Sequence, residues 1–263
     1  MGNSISGSVP ETGDPRFMTS LSRGLTVLRA FEGRPSLTVS QAAGIVGLHR
    51  SSVARCLYTL EKLGYVSATG PTYRLKATLL PLIRAYTSSD PLAKAAQPVV
   101  GAIRERIGES SSVAVLEPNA TESVIYVCRA ETSNIVSMPL LVGSRLPSYC
   151  TSMGRVLLAA LPDEEIDVAL DEANLLQRTP STISAPERLK VELSRVREEG
   201  FAIVDQELEL GLRSIAVPVR SSQGRVVAAL NIGAPVSRHS VEWLRDVARP
   251  ELQAAAAHLS QML

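Results

Sequence analysis

The chain has 263 residues, enough for two domains or one large one, and its 45% apolar content excludes global disorder. The net charge is only +1. Cys56, Cys128 and Cys150 are widely spaced, with no C-x-x-C and three histidines in the whole chain, which argues against a zinc site or a disulfide framework and suits a reducing cytoplasm.

Residues 1–18 are rich in Gly, Ser, Pro and Thr without apolar periodicity and read as a disordered tail. The N-terminus does not read as a signal peptide. No apolar run approaches the roughly 18 residues of a membrane span, so a soluble, intracellular chain is expected.

Leu21, Leu25 and Leu28 mark one stripe of a first helix, with Phe31 beside it, ended by Gly33 and Pro35. Thr38 and Gln41 have capping-box spacing ahead of a second helix, whose apolar face is Val39, Ala42, Ala43 and Val46 and which Gly47 closes. A third helix follows in "GLHRSSVARCLYTLEKLGYV". Counting about 100° per residue, Leu57 and Leu60 fall within about 40° of Val53. Ser51, Arg55, Tyr58 and Lys62 fall on the opposite side. A solvated helix face usually mixes acids with its bases, and here Glu61 stands alone on the flank. "YVSATGPTYRL" then reads as two short strands around Gly70-Pro71, a hairpin or wing. Three short helices and a wing predict a winged helix-turn-helix over 19–76.

Residues 77–90 read as a linking helix with Leu79, Leu80, Leu82 and Ile83, Pro81 fitting its first turn. From Asp90-Pro91 onward the pattern mixes helix and strand. Helices are expected at 91–107, 152–161, 163–170, 186–199 and 240–262. Strands are expected at 112–117, 123–129, 135–141, 213–220 and 225–232, the last two joined by Ser-Ser-Gln-Gly. Hairpins dominate over crossovers, so 91–263 is expected to be an α+β domain with an antiparallel sheet flanked by helices.

Charge divides along the same line. Residues 19–76 hold eight basic and two acidic residues, a balance of +6, and the rest of the chain is net acidic. That asymmetry is the footprint of nucleic-acid binding by one domain only.

Four stretches in order, "SLSRGLTVLRAF", "LHRSSVARCLYTLEKLGYV", "LPSYCTSMGRVLLAALP" and "DQELELGLRSIAVPV", resemble the IclR family of bacterial transcriptional regulators, over about residues 19–262. "VGSRLPSYCTSMGRVLLAALP" resembles the branch controlling aromatic-acid breakdown through the β-ketoadipate pathway. The resemblance implies a winged helix, a linking helix and a GAF-like C-terminal domain that binds a small acid. It also implies dimers made through the DNA-binding domains, often paired into tetramers. Val204 stands where the family pattern has an acidic or small polar residue, while Glu207 and Ser214 keep the expected spacing.

Candidate DNA contacts are Arg50, Ser51, Ser52 and Arg55 in the half of the third helix that enters a major groove, with arginine suited to guanine O6 and N7. Tyr58, Thr59, Lys62, Arg74 and Lys76 suit the phosphate backbone. Candidate effector contacts begin at the helix start in "PSYCTSMGRVLL", where the backbone N–H groups of Ser152, Met153 and Gly154 favour an anion. By resemblance this turn holds the effector's carboxylate, and Ser214, Asn231 and Gly233 match pocket-lining positions. Tyr149 and Met153 supply apolar or aromatic contact. Ordinary capping by Thr151 or Ser152 without a ligand is the plainer alternative. Arg129 and Arg145 read as solvated or salt-bridged. The family branch suggests protocatechuate, 4-hydroxybenzoate or β-ketoadipate, unranked. Regulation of another small-acid pathway is the runner-up. No G-x-S-x-G, Walker loop, H-E-x-x-H or G-x-G-x-x-G occurs, so neither enzyme chemistry, metal nor cofactor is expected.

Overall fold

A computed structural model describes residues 13–118, 120–132, 140–172 and 174–263. Two compact units part between Thr87 and Ser88.

The first unit runs α1 (Thr19–Arg29), β1 (Leu37–Thr38), α2 (Val39–Val46), α3 (Arg50–Lys62), β2 (Val66–Thr69) and β3 (Thr72–Leu75), and α4 (Leu80–Ser89) crosses the boundary in its last turn. The capping box forms as expected: the Gln41 N–H donates to Thr38 Oγ1 at 3.2 Å and the Thr38 N–H to Gln41 Oε1 at 2.8 Å. Gly47 ends α2 at φ 68°, a left-handed conformation that turns the chain into α3 and suits glycine. Strands β2 and β3 form the wing, and β1, too short to show in the sequence pattern, pairs with β3.

The core of this unit is Val27, Phe31, Leu37, Val46, Val53, Leu57 and Val66. The expected α1 stripe is corrected here. Leu21 and Leu25 are 56% and 53% exposed, and the buried set is Val27, Ala30 and Phe31. At 3.6 residues per turn, Leu21 and Leu25 sit about 120° and 160° round the helix from Val27, so both cannot share its face.

The second unit contains α5 (Pro91–Ile107), β4 (Ser110–Glu117), β5 (Ala120–Ala130), β6 (Arg145–Pro147), α6 (Ser152–Ala159), α7 (Asp163–Glu172) and α8 (Pro186–Glu199). It continues through β7 (Ala202–Asp205), β8 (Leu212–Arg220), β9 (Val226–Pro235), α9 (Val241–Trp243) and α10 (Arg249–Ser260). The strands form one antiparallel sheet in the order β6-β5-β4-β9-β8-β7. One face packs on α5 and α10 through residues such as Ile103, Ile215, Ile232 and Leu252. The other packs on α6, α7 and α8 through Met153, Leu157, Leu189 and Leu193.

Of the strand expected at 135–141, residues 135–139 lie outside the described residues, and Leu140 and Leu141 are not in a strand. The single helix expected over 240–262 is interrupted by a π-helical segment, Leu244–Ala248, before α10. Pro250 explains the break, because it offers no N–H to the preceding turn and its ring crowds the carbonyl four residues back. No helix among the described residues is long and apolar enough to cross a membrane.

Leu57, fully buried between α1 and α2, fixes the outward roll of α3. Leu57→Ala is expected to cost about 2–5 kcal/mol, measured as loss of the first unit's transition in urea unfolding.

Candidate nucleic-acid interface and ligand cavity

Burial of Val53, Leu57 and Leu60 turns the other side of α3 to solvent. Arg50, Ser51, Arg55, Tyr58, Thr59 and Lys62 are exposed there, and Ser52 is half-buried. Lys62 Nζ lies 5.2 Å from the centre of the Tyr58 ring, so these two side chains act as one surface. The Thr59 hydroxyl donates to the Arg55 carbonyl at 2.9 Å, which keeps its hydrogen inside the helix. Arg74 projects from β3 and Lys76 follows it, both exposed. Arg50, Arg55, Lys62, Arg74 and Lys76 have no carboxylate at ion-pair distance among the described residues. The face is therefore cationic and uncompensated, as a phosphate-binding surface requires.

In the second unit, strand register sets Ser110 beside Gly233, Gly233 beside Ser214 and Ser214 beside Val204. Asn231 stands two residues along β9, opposite Ser112 and Ala216. The start of α6 faces this row, and Ser152, Met153, Ser214, Asn231 and Gly233 line one cavity of about 50 Å³. Thr151, extended at φ −122° and ψ 144°, caps α6 by accepting the Gly154 N–H at 3.3 Å. The N–H groups of Ser152 and Met153 find no acceptor among the described residues. Ser152 Oγ and Asn231 Oδ1 are buried without a hydrogen-bond partner among the described residues. Four polar positions thus converge unsatisfied on one space, a costly arrangement for a site that stays empty.

Two of the expected contacts stand elsewhere. Tyr149 is buried in the core beside α6, and its hydroxyl donates to the Leu176 carbonyl at 2.7 Å rather than lining the cavity. The Gly154 N–H is taken by Thr151, and a Cβ at Gly154 would lie 2.1 Å from the Ser148 carbonyl oxygen, so this glycine serves close packing. Arg145 pairs with Glu117 at 2.8 Å. Arg129 pairs with Glu131 at 2.8 Å and donates to Ser112 Oγ at 3.0 Å, yet it also lines the cavity and brings a positive charge to it. Burial pushes the Tyr126 hydroxyl up to about 12 and the Cys150 thiol up to about 11, so both cavity-lining groups stay protonated at neutral pH.

The departure at Val204 is resolved by geometry. Val204 forms apolar cavity wall, whereas Asp205 points to the other face and pairs with Arg213 at 3.0 Å. Glu207 receives the Arg155 guanidinium at 2.6 Å and the Ile183 N–H at 2.9 Å. Arg155 is 1% exposed and also donates to the Tyr149 carbonyl at 3.0 Å. Sequence reading passed over Arg155, although a lone arginine inside the apolar run "MGRVLLAAL" is itself the signal of a buried ion pair. No cluster of His, Cys, Asp or Glu among the described residues is arranged to hold a metal.

A winged helix with an uncompensated basic face, and a second unit holding a largely apolar cavity with a few unsatisfied polar groups, define a DNA-binding regulator governed by a small ligand. Residues 20–70 match the IclR helix-turn-helix domain and residues 84–261 match the bacterial transcriptional regulator IclR C-terminal domain, so the chain belongs to the IclR family. It is 45% identical over 254 residues to the Pca regulon regulatory protein of Pseudomonas putida, covering 96% of this chain and 86% of that one. It is 31% identical to the p-hydroxybenzoate hydroxylase transcriptional activator of Acinetobacter baylyi, covering 94% and 92%. Among solved structures, an IclR homologue from Microbacterium hydrocarbonoxydans complexed with 4-hydroxybenzoate aligns with a TM-score of 0.77 at 28% identity, covering 93% and 98%. The chain is a transcriptional regulator with a helix-turn-helix DNA-binding domain, not an enzyme.

Glu207→Gln leaves the Arg155 charge buried with, among the described residues, only Glu192, 3.6 Å away, to offset it. The expected loss is about 3–5 kcal/mol in urea unfolding. The paired change Arg155→Met with Glu207→Leu is expected to recover most of it.

Proposed function

We propose that this regulator controls genes of aromatic-acid catabolism in the cytoplasm, reading a palindromic operator as a dimer and sensing a small carboxylic acid. Residues 19–76 carry the DNA contacts, 77–90 form the link, 91–263 hold the effector, and the tail is 1–18, of which 1–12 lie outside the described residues. The observation that carries the effector reading is the pair of free N–H groups at Ser152 and Met153 beside the orphaned Ser152 Oγ and Asn231 Oδ1. The helix start accepts a carboxylate, Arg129 adds charge, and Asn231 with Ser214 meets a hydroxyl or keto group at the far end. Protocatechuate, 4-hydroxybenzoate and β-ketoadipate all have this chemistry, and the relative complexed with 4-hydroxybenzoate supports the class. The cavity is small, about 50 Å³, and flexible Met153 is the lining side chain readiest to move when a ring enters. A ligand that favours one side-chain arrangement shifts the population of DNA-competent molecules through the link. Self-association is supported by apolar side chains left in solvent on α1 (Leu21, Leu25) and α4 (Leu80, Leu82, Ile83).

Calorimetry with the three acids tests the effector site. Thr151 already has the extended backbone that precedes proline, so Ser152→Pro removes one N–H and the hydroxyl without breaking α6. Ser152→Ala removes the hydroxyl alone. Affinity is expected to fall about 10- to 100-fold in the proline variant, as for a lost hydrogen bond to a charged group, and less in the alanine variant. Equal affinity in wild type and Ser152→Pro would place the carboxylate elsewhere.

Mobility shifts on operator and scrambled DNA test the other unit. Arg55→Ala is expected to cost about 1–3 kcal/mol on operator DNA only. Lys76→Ala is expected to weaken both complexes similarly and to reduce the salt slope by about 0.9. Equal losses on both DNAs for Arg55→Ala would remove it from base readout.

A further inference from the structure

Strand β7 is the outer strand of the six-stranded sheet, paired with β8 on one side only. The Gln206 N–H donates to the Leu212 carbonyl at 2.8 Å, which fixes the hydrogen-bonding phase of the pair. In an antiparallel ladder hydrogen-bonded and non-hydrogen-bonded pairs alternate. Val204 and Ala202 therefore bond to β8, and the N–H and C=O groups of Ile203 and Asp205 point away from the sheet. Those two residues line an open groove of about 370 Å³. No strand among the described residues occupies it.

The groove's charges are unevenly matched. Among its acids, Asp205 pairs with Arg213, Glu192 with Arg195, and Glu207 with Arg155. Arg188 and Arg245 also line the groove, are exposed, and have no carboxylate at ion-pair distance among the described residues. Arg188 comes from α8, which covers one face of the sheet, and Arg245 from the π-helical segment, which covers the other. Ile183 and Val241 add apolar wall.

We propose that this groove is a docking site for an extended acidic peptide segment of a partner protein, which adds to β7 as a seventh strand. Ile203 and Asp205 supply main-chain hydrogen bonds, the usual source of affinity in strand addition. Successive side chains of an added strand point to opposite faces of the sheet. Two consecutive acidic residues therefore meet Arg188 on one face and Arg245 on the other, and β-branched neighbours meet Ile183 and Val241. The recognised signature is an acidic pair flanked by β-branched residues. The site is separate from the effector cavity, and its occupancy is independent of Ser152.

The test is fluorescence anisotropy of the full-length protein with a labelled Thr-Val-Asp-Glu-Val-Thr peptide. Binding is expected to weaken at least about tenfold in Arg188→Ala/Arg245→Ala, whose changes are both at exposed positions, and to be unaltered in Ser152→Pro. Lys-Lys in place of Asp-Glu is expected to abolish it. N-methyl groups on one alternate set of peptide residues are expected to abolish binding, and on the other set to be tolerated. Binding indifferent to both methyl sets would show charge attraction without a strand and overturn the proposal. Full displacement by citrate at the peptide's own affinity would reveal a small-anion site, and an altered sedimentation coefficient of the free double variant would reveal an interface between copies. Either result overturns it, as does absence of peptide binding.

Discussion

The buried contact between Arg155 and Glu207 is the constraint on which the second unit's cavity depends. It joins the second turn of α6 to the loop after β7, and Glu207 also takes the Ile183 N–H, so three separate segments meet at one carboxylate. The Thr182 hydroxyl closes the arrangement by donating to the Glu207 carbonyl at 2.6 Å. A buried pair of this kind adds little stability over a well-packed apolar substitute. Its directional bonds do what apolar packing cannot: they fix the rotation and height of α6 above the sheet. The free N–H groups of Ser152 and Met153 are aimed by that placement.

The two units place their polar groups by the same physical means. In each, an apolar stripe anchors a helix, and what function needs is whatever the stripe leaves facing the other way. On α3 the stripe is Val53, Leu57 and Leu60, and what remains is cationic. On α6 nearly every residue is buried, so only the helix start is available, and its contribution is main chain rather than side chain. A surface suited to a polyanion thus offers long flexible cations, and the helix start offers fixed dipoles.

Much of this was legible in the sequence because it rests on local rules. The capping box at Thr38, the stop at Gly47, the roll of α3 and the β8–β9 hairpin all follow from spacing alone. Periodicity misled on α1, where Leu21 and Leu25 follow a helical spacing but tertiary packing chose Val27 and Phe31. Strands β6 and β7 were missed because three or four residues cannot establish an alternation, and only their neighbours in the sheet define them. In the cavity, Ser152, Met153, Ser214, Asn231 and Gly233 come together across positions up to 81 apart in the chain, which the family resemblance anticipated and spacing could not. Tyr149 and Gly154 shared the motif but not the cavity. One turns its hydroxyl to Leu176, and the other is small because the Ser148 backbone runs against it.

That last contact bears on how such a sensor can be retuned. With the Ser148 carbonyl where the first side-chain carbon of residue 154 would be, the helix start cannot be enlarged or shifted without moving the whole loop that precedes it. The α6 end of the cavity is therefore a rigid wall. Variation meant to admit a longer or bulkier ligand has to enter at Val204 and Ser214 on the strands or Leu208 in the loop between them, where volume can change without touching the start of α6. A library confined to those positions would diversify the shape of the cavity while leaving the helix start and its free N–H groups intact.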